Sequence, residues 1–188
     1  LNIWTSGETA WIPDDVWMKG NTPIPYDKLP TLPAYGGLDL ASTQDLTAFA
    51  LLLRDDEENC FSLLVHQFVN SDKAHTNKLS AGIDYLAFAR EGDITITPGN
   101  VTDTTIVRQY IQQQCAKYDV RNIGYDPRYS VTIVPQLQAD GIDMRTMAQN
   151  ITVMNAPTKE FEMSVMRQEI IHGGNRCLRW QMNCATIY

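Results

Sequence analysis

The stretch between Tyr35 and Val69 contains three apolar runs of strand length, and it restricts the possible fold more than any other feature. The runs are residues 37–41, 46–54 and 60–69. The last two flank a polar segment, DDEEN, whose length and composition are typical of a hairpin connection. The sequence therefore predicts a sheet that begins with three sequential, antiparallel strands.

The rest of the chain alternates between helical and strand patterns. Asp103 stands where an N-cap belongs, and Pro127 stops a strand directly after Asp126. Helices are predicted over residues 79–90, 103–118, 130–140 and 156–169, and strands over 94–97, 123–125 and 142–148. This order predicts an α/β fold with a mixed central sheet, antiparallel among its first three strands and then parallel, flanked by helices.

Residues 1–34 have a different composition from the rest of the chain. They contain three of the four tryptophans and five of the nine prolines, with little periodicity of either kind. This composition is typical of an extended arm, with a short helix around residues 14–18 and tryptophans that anchor it on a neighbouring surface.

The overall composition, 44% hydrophobic and 20% charged, is that of an ordinary globular domain, and no apolar run approaches the roughly 20 residues of a membrane span. The four cysteines lack metal-site spacing, which predicts free, mostly buried thiols.

The net charge of -7 is unevenly distributed. Residues 1–100 carry 6 Lys and Arg against 14 Asp and Glu, and residues 101–188 carry 9 against 8. We therefore expect any phosphate-facing surface in the second half.

Two aspartates lie at or near the ends of predicted strands. Asp39 lies near the end of the first strand, and Asp126 ends a later one. If these strands are neighbours, the two like charges need a cation between them, and oxygen ligands without histidine favour Mg²⁺ or Mn²⁺. Two such ions would form a site that cleaves phosphodiesters. The alternative is structural: either residue could cap a helix or form a turn, and Asp45 could cap the turn before the second strand.

Six segments carry a family resemblance. They are NIWTSGETAWIPDDVWMKGN, GGLDLASTQDLTAFALLL, EGDITITPGNVTD, NIGYDP, NAPTKEFE and IIHGGNRCLRWQMN. Their order and spacing resemble those of the large terminase subunit of tailed bacteriophages and prophages. The part of that protein that they resemble is its C-terminal nuclease region, together with the linker that joins this region to the packaging ATPase. The resemblance covers essentially the whole chain.

The resemblance implies an RNase H-like nuclease domain over residues 35–188, preceded by a linker or arm, residues 1–34, from an N-terminal ATPase domain. No GxxxxGK[ST] phosphate loop is present. The family's acidic residues bind two divalent ions, Mg²⁺ or Mn²⁺. Two of these acids, both catalytic and metal-binding, match Asp39 and Asp126, and Asp45 matches an additional metal-supporting position. The family's third acid lies on a later helix, but no Asp or Glu follows Glu169. We therefore expect the domain to be C-terminally incomplete.

Three further residues are candidates for DNA contact. Arg128 follows Asp126, Lys159 falls in the first turn of the helix predicted from residue 156, and His172 precedes two glycines. Each has a structural alternative: a solvated surface position for Arg128 and Lys159, and a hydrogen-bonded turn for His172.

The resemblance implies a metal-dependent endonuclease of low sequence specificity that cuts concatemeric viral DNA during packaging into proheads, in the cytoplasm of the bacterial host. The implied partners are double-stranded DNA, the terminase small subunit, the portal protein and the ATPase domain of the same polypeptide, with no membrane. Two alternatives remain. One is another RNase H-like nuclease of the resolvase or transposase type, and the other is a non-catalytic docking module of the packaging machinery. Metal binding that depends on Asp39 would exclude the docking module.

Overall fold

The structure, a computed structural model, describes residues 10–41, 45–80 and 83–186. In those ranges the strands are β1 Pro33–Asp39, β2 Thr47–Asp55, β3 Cys60–Asn70, β4 Ile94–Thr97, β5 Asp119–Tyr125, β6 Met144–Thr146 and β7 Ile170–Ile171. The helices are α1 Asp14–Trp17, α2 Ser71–Ser80, α3 Tyr85–Arg90, α4 Thr104–Lys117, α5 Ile133–Ala139, α6 Ile151–Met166 and α7 Arg176–Cys184. None of these described helices combines the length and the apolar character that crossing a bilayer requires.

All the described strands belong to one mixed sheet in the order β4-β3-β2-β1-β5-β6, with β7 also paired to β3. Strand β2 pairs antiparallel with both β1 and β3. The pairs β1–β5, β5–β6, β3–β4 and β3–β7 are parallel. The predicted mixed sheet is confirmed, and β1 lies in its interior between β2 and β5.

The β2–β3 hairpin closes as the sequence predicts. Buried and half-buried residues alternate along β2. In the turn, Asp55 Oδ1 accepts hydrogen bonds from the backbone N–H groups of Glu57 and Glu58. Asn59 supplies the left-handed backbone (φ 50°) that returns the chain to β3, a conformation that asparagine tolerates better than most residues.

Helices cover both faces of the sheet. On one face Leu38, Phe49 and Ile123 pack in a hydrophobic cluster with residues of α4 and α5. On the other face Leu63 packs with Trp17 of α1 and Val165 of α6. Helix α6 follows β6, which lies at one edge of the sheet, and precedes β7, which pairs with β3 near the other edge.

The described part of the segment that precedes β1, residues 10–32, belongs to the packed domain. Ile12, Trp17 and Leu29 are almost fully buried, and the ring of Trp17 stacks on His172 with 4.2 Å between the ring centroids. The neighbouring surface that Trp17 contacts is therefore a face of this domain's own sheet. Trp4 lies outside the described residues. The role of residues 1–34 as a linker to an ATPase domain stays a prediction.

Two predicted helices have the wrong boundaries. In place of one helix over residues 79–90, α2 starts at Ser71 directly after β3, and α3 covers Tyr85–Arg90. The helix predicted from residue 156 starts at Ile151, because the side chain of Asn150 caps it by accepting a hydrogen bond from Val153 N–H. Pro157 therefore lies inside α6 and does not open it.

The four cysteines are free thiols, as predicted, but the expectation that most are buried is wrong. Cys177 is buried, Cys60 and Cys115 are half-buried, and Cys184 is exposed. Burial raises the pKa of Cys177 to about 12, with a further contribution from the nearby charge of Asp93. That thiol is therefore protonated at neutral pH and behaves as a small apolar group in the core.

Two neighbouring glycines of β1 differ in the space around them, and this difference gives a test of the packing. A Cβ at Gly36 would lie 2.7 Å from Cγ1 of Ile123, whereas a Cβ at Gly37 would meet nothing within 4 Å. We expect Gly36→Ala to lower the free energy of unfolding by about 1–3 kcal/mol, because it overpacks the core. We expect the control Gly37→Ala to leave it unchanged or raise it by up to about 1 kcal/mol. Urea unfolding followed by tryptophan fluorescence measures both, and equal effects would contradict the described packing.

Candidate active site

The two predicted aspartates come together at the carboxyl ends of β1 and β5. Leu38 and Tyr125 pair across these parallel strands, and the next residue on each strand is Asp39 and Asp126, respectively. Neighbouring strands are about 4.8 Å apart, and residues directly opposite each other point to the same face. The register therefore brings the two carboxylates to the same face of the sheet, at the edge where α/β proteins bind ligands.

The electrostatic environment of Asp39 reflects this proximity. Partial burial of its carboxyl, then repulsion from Asp126, then repulsion from Asp45 raise the pKa of Asp39 above its ordinary value. Among the described residues, no hydrogen-bond donor or cationic side chain compensates its carboxylate. The three acids thus form a cluster of negative charge, and ionisation of Asp39 within it costs free energy unless a cation is near.

The loop after β5 fixes the position of Asp126. Asp126 Oδ1 accepts a hydrogen bond from the backbone N–H of Arg128 at 2.9 Å, and Ser130 Oγ donates to the carbonyl of Pro127 at 2.8 Å. Ser130 is buried, whereas the preceding residue, Tyr129, is exposed and has a left-handed backbone (φ 61°). The second carboxylate oxygen of Asp126 remains available to a ligand.

A buried threonine holds the chain beyond Asp39. The Oγ1 of Thr47 accepts a hydrogen bond from the backbone N–H of Ala41 at 3.0 Å, and Thr47 is only 1% exposed. This bond ties the end of β1 to the start of β2 and so limits the movement of Asp39. The sequence analysis missed Thr47, because a threonine at the start of a strand is common and carries no specific signal.

The donor set partly fits the divalent ions that the sequence predicts. Carboxylate oxygens without nearby histidine or thiolate ligands suit Mg²⁺ or Mn²⁺, and the charge of an ion would compensate the repulsion at Asp39. Asp45 is exposed and close enough to Asp39 to affect its pKa. However, in the part of the chain that the structure describes, no three acidic, histidine or cysteine side chains are placed to share one ion. The described residues therefore supply part of a coordination sphere.

Of the three candidates for DNA contact, only Arg128 lies beside the acids. It is exposed two residues after Asp126, and its guanidinium forms no ion pair within the described residues. Lys159 is exposed in the third turn of α6. Its predicted location in the first turn is wrong, and the proposed attraction between a helix N-terminus and phosphate does not apply to it.

The structure places His172 in the interior, away from the acids. It is 3% exposed, its Nε2 donates to the carbonyl of Trp17, and its Nδ1 accepts from Gly174 N–H. It follows β7, which lies three strand spacings from β1, about 14 Å. These contacts agree with the structural alternative, a hydrogen-bonded turn residue, and leave no surface for DNA.

A cavity of about 470 Å³ lies away from the acids, beside β3, and is lined in part by Tyr26, His66 and Lys117. Burial lowers the pKa of His66 to about 4, so its ring is neutral there. A smaller cavity of about 320 Å³ adjoins the acidic cluster, with Asp45 and Lys73 in its wall. We locate the site at the carboxylates, because neither Asp39 nor Asp126 lines the larger cavity and a shallow surface can hold a DNA backbone.

Comparisons with known proteins agree with this geometry. A family model described as terminase large subunit, endonuclease domain, matches residues 1–188. The crystal structure of the HK97 bacteriophage large terminase matches with a TM-score of 0.78 and 22% identity, over 89% of this chain and 35% of that one. The large terminase nuclease from thermophilic phage G20c matches with a TM-score of 0.56 and 11% identity, over 85% of this chain and 68% of that one. A comparison with curated proteins gave no match.

These likenesses confirm the predicted RNase H-like fold. The chain spans about a third of the length of the HK97 protein.

The repulsion at Asp39 predicts a pH-dependent gain of stability in Asp39→Asn. The folded-state pKa of Asp39 is above the unfolded value, so wild-type stability falls as the pH rises from about 3.8 through the folded pKa. Asparagine does not titrate. In EDTA we therefore expect Asp39→Asn to melt at a higher temperature than wild type at pH 7 and at the same temperature at acid pH. Asp27→Asn, in an exposed turn before β1, is the control and should show no such gain. Identical melting of wild type and Asp39→Asn at pH 7 would contradict the charge cluster.

Proposed function

The chain belongs to the family of terminase large subunit endonuclease domains, which has a nuclease role in phage DNA packaging, and we propose that it cleaves DNA through divalent ions held by Asp39 and Asp126. The observation that carries the proposal is the pairing of β1 with β5, which juxtaposes the carboxylates of Asp39 and Asp126 at the carboxyl ends of these strands. Terminase nuclease domains are in general metal-dependent. The choice of two Mg²⁺ or Mn²⁺ ions is our inference from the oxygen donors.

In this proposal the chain's own residues bind and orient. Asp39 and Asp126 hold the cations, Asp45 supports the site from the start of β2, and Thr47 and the Asp126–Arg128 hydrogen bond keep the carboxylates in place. When bound, the two ions supply an activated water and stabilise the oxygen that leaves phosphorus. Among the described residues, no third carboxylate is placed to share one ion with Asp39 and Asp126. A complete site therefore takes further ligands from DNA phosphate oxygens, from water or from an acid outside those residues.

The substrate is double-stranded DNA, and we propose that the domain cuts it with little sequence specificity. Phosphate contacts carry little sequence information. Cutting of concatemeric viral DNA during packaging into proheads would then be directed by other parts of the machine.

Those parts would be an ATPase domain of the same polypeptide, the terminase small subunit and the portal protein, in the cytoplasm of the bacterial host. The family assignment favours this setting over a resolvase or transposase. The docking-module alternative retains one supporting observation, since no described set of three ligands is placed to share an ion.

A cleavage assay separates the nuclease from the docking module. We expect plasmid DNA to be cut with Mn²⁺ or Mg²⁺ and to stay intact in EDTA. Asp39→Asn and Asp126→Asn should each reduce the rate by at least about 100-fold, because loss of a direct ligand should exceed the 10- to 100-fold cost of removing an outer partner. The control Asp27→Asn should cut at the wild-type rate. Metal-independent cutting, or full activity of Asp39→Asn, would exclude the proposed mechanism.

The salt dependence of DNA binding tests the role of Arg128. In EDTA, replacing one phosphate-contacting cation should reduce the slope of log K against log salt by about 1. We therefore expect Arg128→Ala to bind DNA more weakly with a shallower slope, measured by fluorescence anisotropy. Lys19→Ala, which removes an exposed cation from the segment before β1, should leave both quantities unchanged. An unchanged slope in Arg128→Ala would exclude the phosphate contact.

A further inference from the structure

The loop between β5 and α5 exposes two apolar side chains beside the acid pair. Tyr129 is 64% exposed and Val131 is 83% exposed, whereas Ser130 between them is buried. The alternation directs both apolar side chains outward from a loop that starts at Asp126. A chain that buried these residues elsewhere would remove apolar surface from water, so their exposure calls for a partner.

The backbone of this loop is constrained to hold that arrangement. Tyr129 has a φ of 61°, in a region that is unfavourable for an aromatic residue. The hydrogen bonds of Asp126 with Arg128 N–H and of Ser130 with the Pro127 carbonyl maintain the turn on either side. Strained backbone of this kind is concentrated at ligand-binding sites.

The charge of the domain indicates why an apolar contact with DNA would be useful. The net charge is -7. Many arginines are already engaged with neighbouring acids: Arg108 with Asp140, Arg145 with Asp143, and Arg179 with Asp14. These three cations are therefore occupied by neighbouring carboxylates and are less available to phosphates. Contacts with bases or sugars do not depend on charge, and stacking on an aromatic ring tolerates any sequence because every base has a π-face.

We propose that Tyr129 and Val131 form an apolar wedge that packs into a base step of duplex DNA next to the phosphate addressed by Asp39 and Asp126. This proposal rests on the proposed nuclease function. The occupant is DNA because the wedge is continuous with the acid pair through Asp126 and with the free cation Arg128. Insertion of apolar side chains between base pairs unstacks and bends DNA elsewhere. Here it would fix the position of the strand relative to the carboxylates without reading sequence.

The test uses short duplexes that contain 2-aminopurine, whose fluorescence rises when it unstacks, together with anisotropy, all in EDTA so that no strand is cut. We expect the wild-type protein to raise the fluorescence on binding. Tyr129→Ser should abolish most of that rise and weaken binding by about tenfold, as for loss of one stacked base. Val131→Ser should show a smaller loss. Because both residues are exposed, the variants should fold like wild type.

Two controls separate the wedge from other contacts. Tyr26→Ser removes another exposed tyrosine (56%) from the turn before β1, and it should bind and unstack DNA like wild type. The slope of log K against log salt should stay unchanged in Tyr129→Ser, since no charge is lost.

Three results would overturn the wedge: wild-type binding without a fluorescence rise, no binding at all, or equal effects of Tyr129→Ser and Tyr26→Ser. The first and third would leave the nuclease proposal intact if cleavage still requires Asp39. Failure of the nuclease proposal would appear separately, as cleavage that does not respond to metal or to Asp39→Asn.

Discussion

The parallel pairing of β1 with β5 is the constraint on which the site depends. It sets Leu38 opposite Tyr125, so that the next residue on each strand is an aspartate pointing to the same face. Strand spacing then fixes how close the carboxylates lie, and partial desolvation of Asp39 together with repulsion from Asp126 raises the pKa of Asp39. The sheet thereby maintains an unfavourable charge arrangement that a divalent cation would stabilise.

The order of the strands explains why this pair forms at one edge. Strand β1 occupies the interior of the sheet, and the chain returns to it through α4, which follows β4 and leads into β5. This connection passes β3, β2 and β1 and starts β5 parallel to β1, so the carboxyl ends of β1 and β5 lie on the same side of the sheet.

The features that were predictable from the sequence are those with local causes. The β2–β3 hairpin follows from its turn residues, the cap of α4 from Asp103, and the ends of β1 and β5 from their aspartates. Long-range packing was not predictable: the stacking of His172 on Trp17 joins residues 155 positions apart. The start of α6 was misassigned because Pro157 is a strong local signal, yet the Asn150 cap determines where the helix begins. The exposure of Tyr129 depends on the tertiary position of its loop and had no signal in the sequence.

Asp39 and Asp126 lie close together with like charges, and we propose that they hold a cation between them. Crystals soaked in Mn²⁺ and measured at the manganese absorption edge decide whether they do. We expect an anomalous peak at about 2 Å from carboxylate oxygens of both aspartates, absent in Asp39→Asn crystals soaked identically. A well-ordered site without a peak between the two aspartates at saturating Mn²⁺ would contradict it.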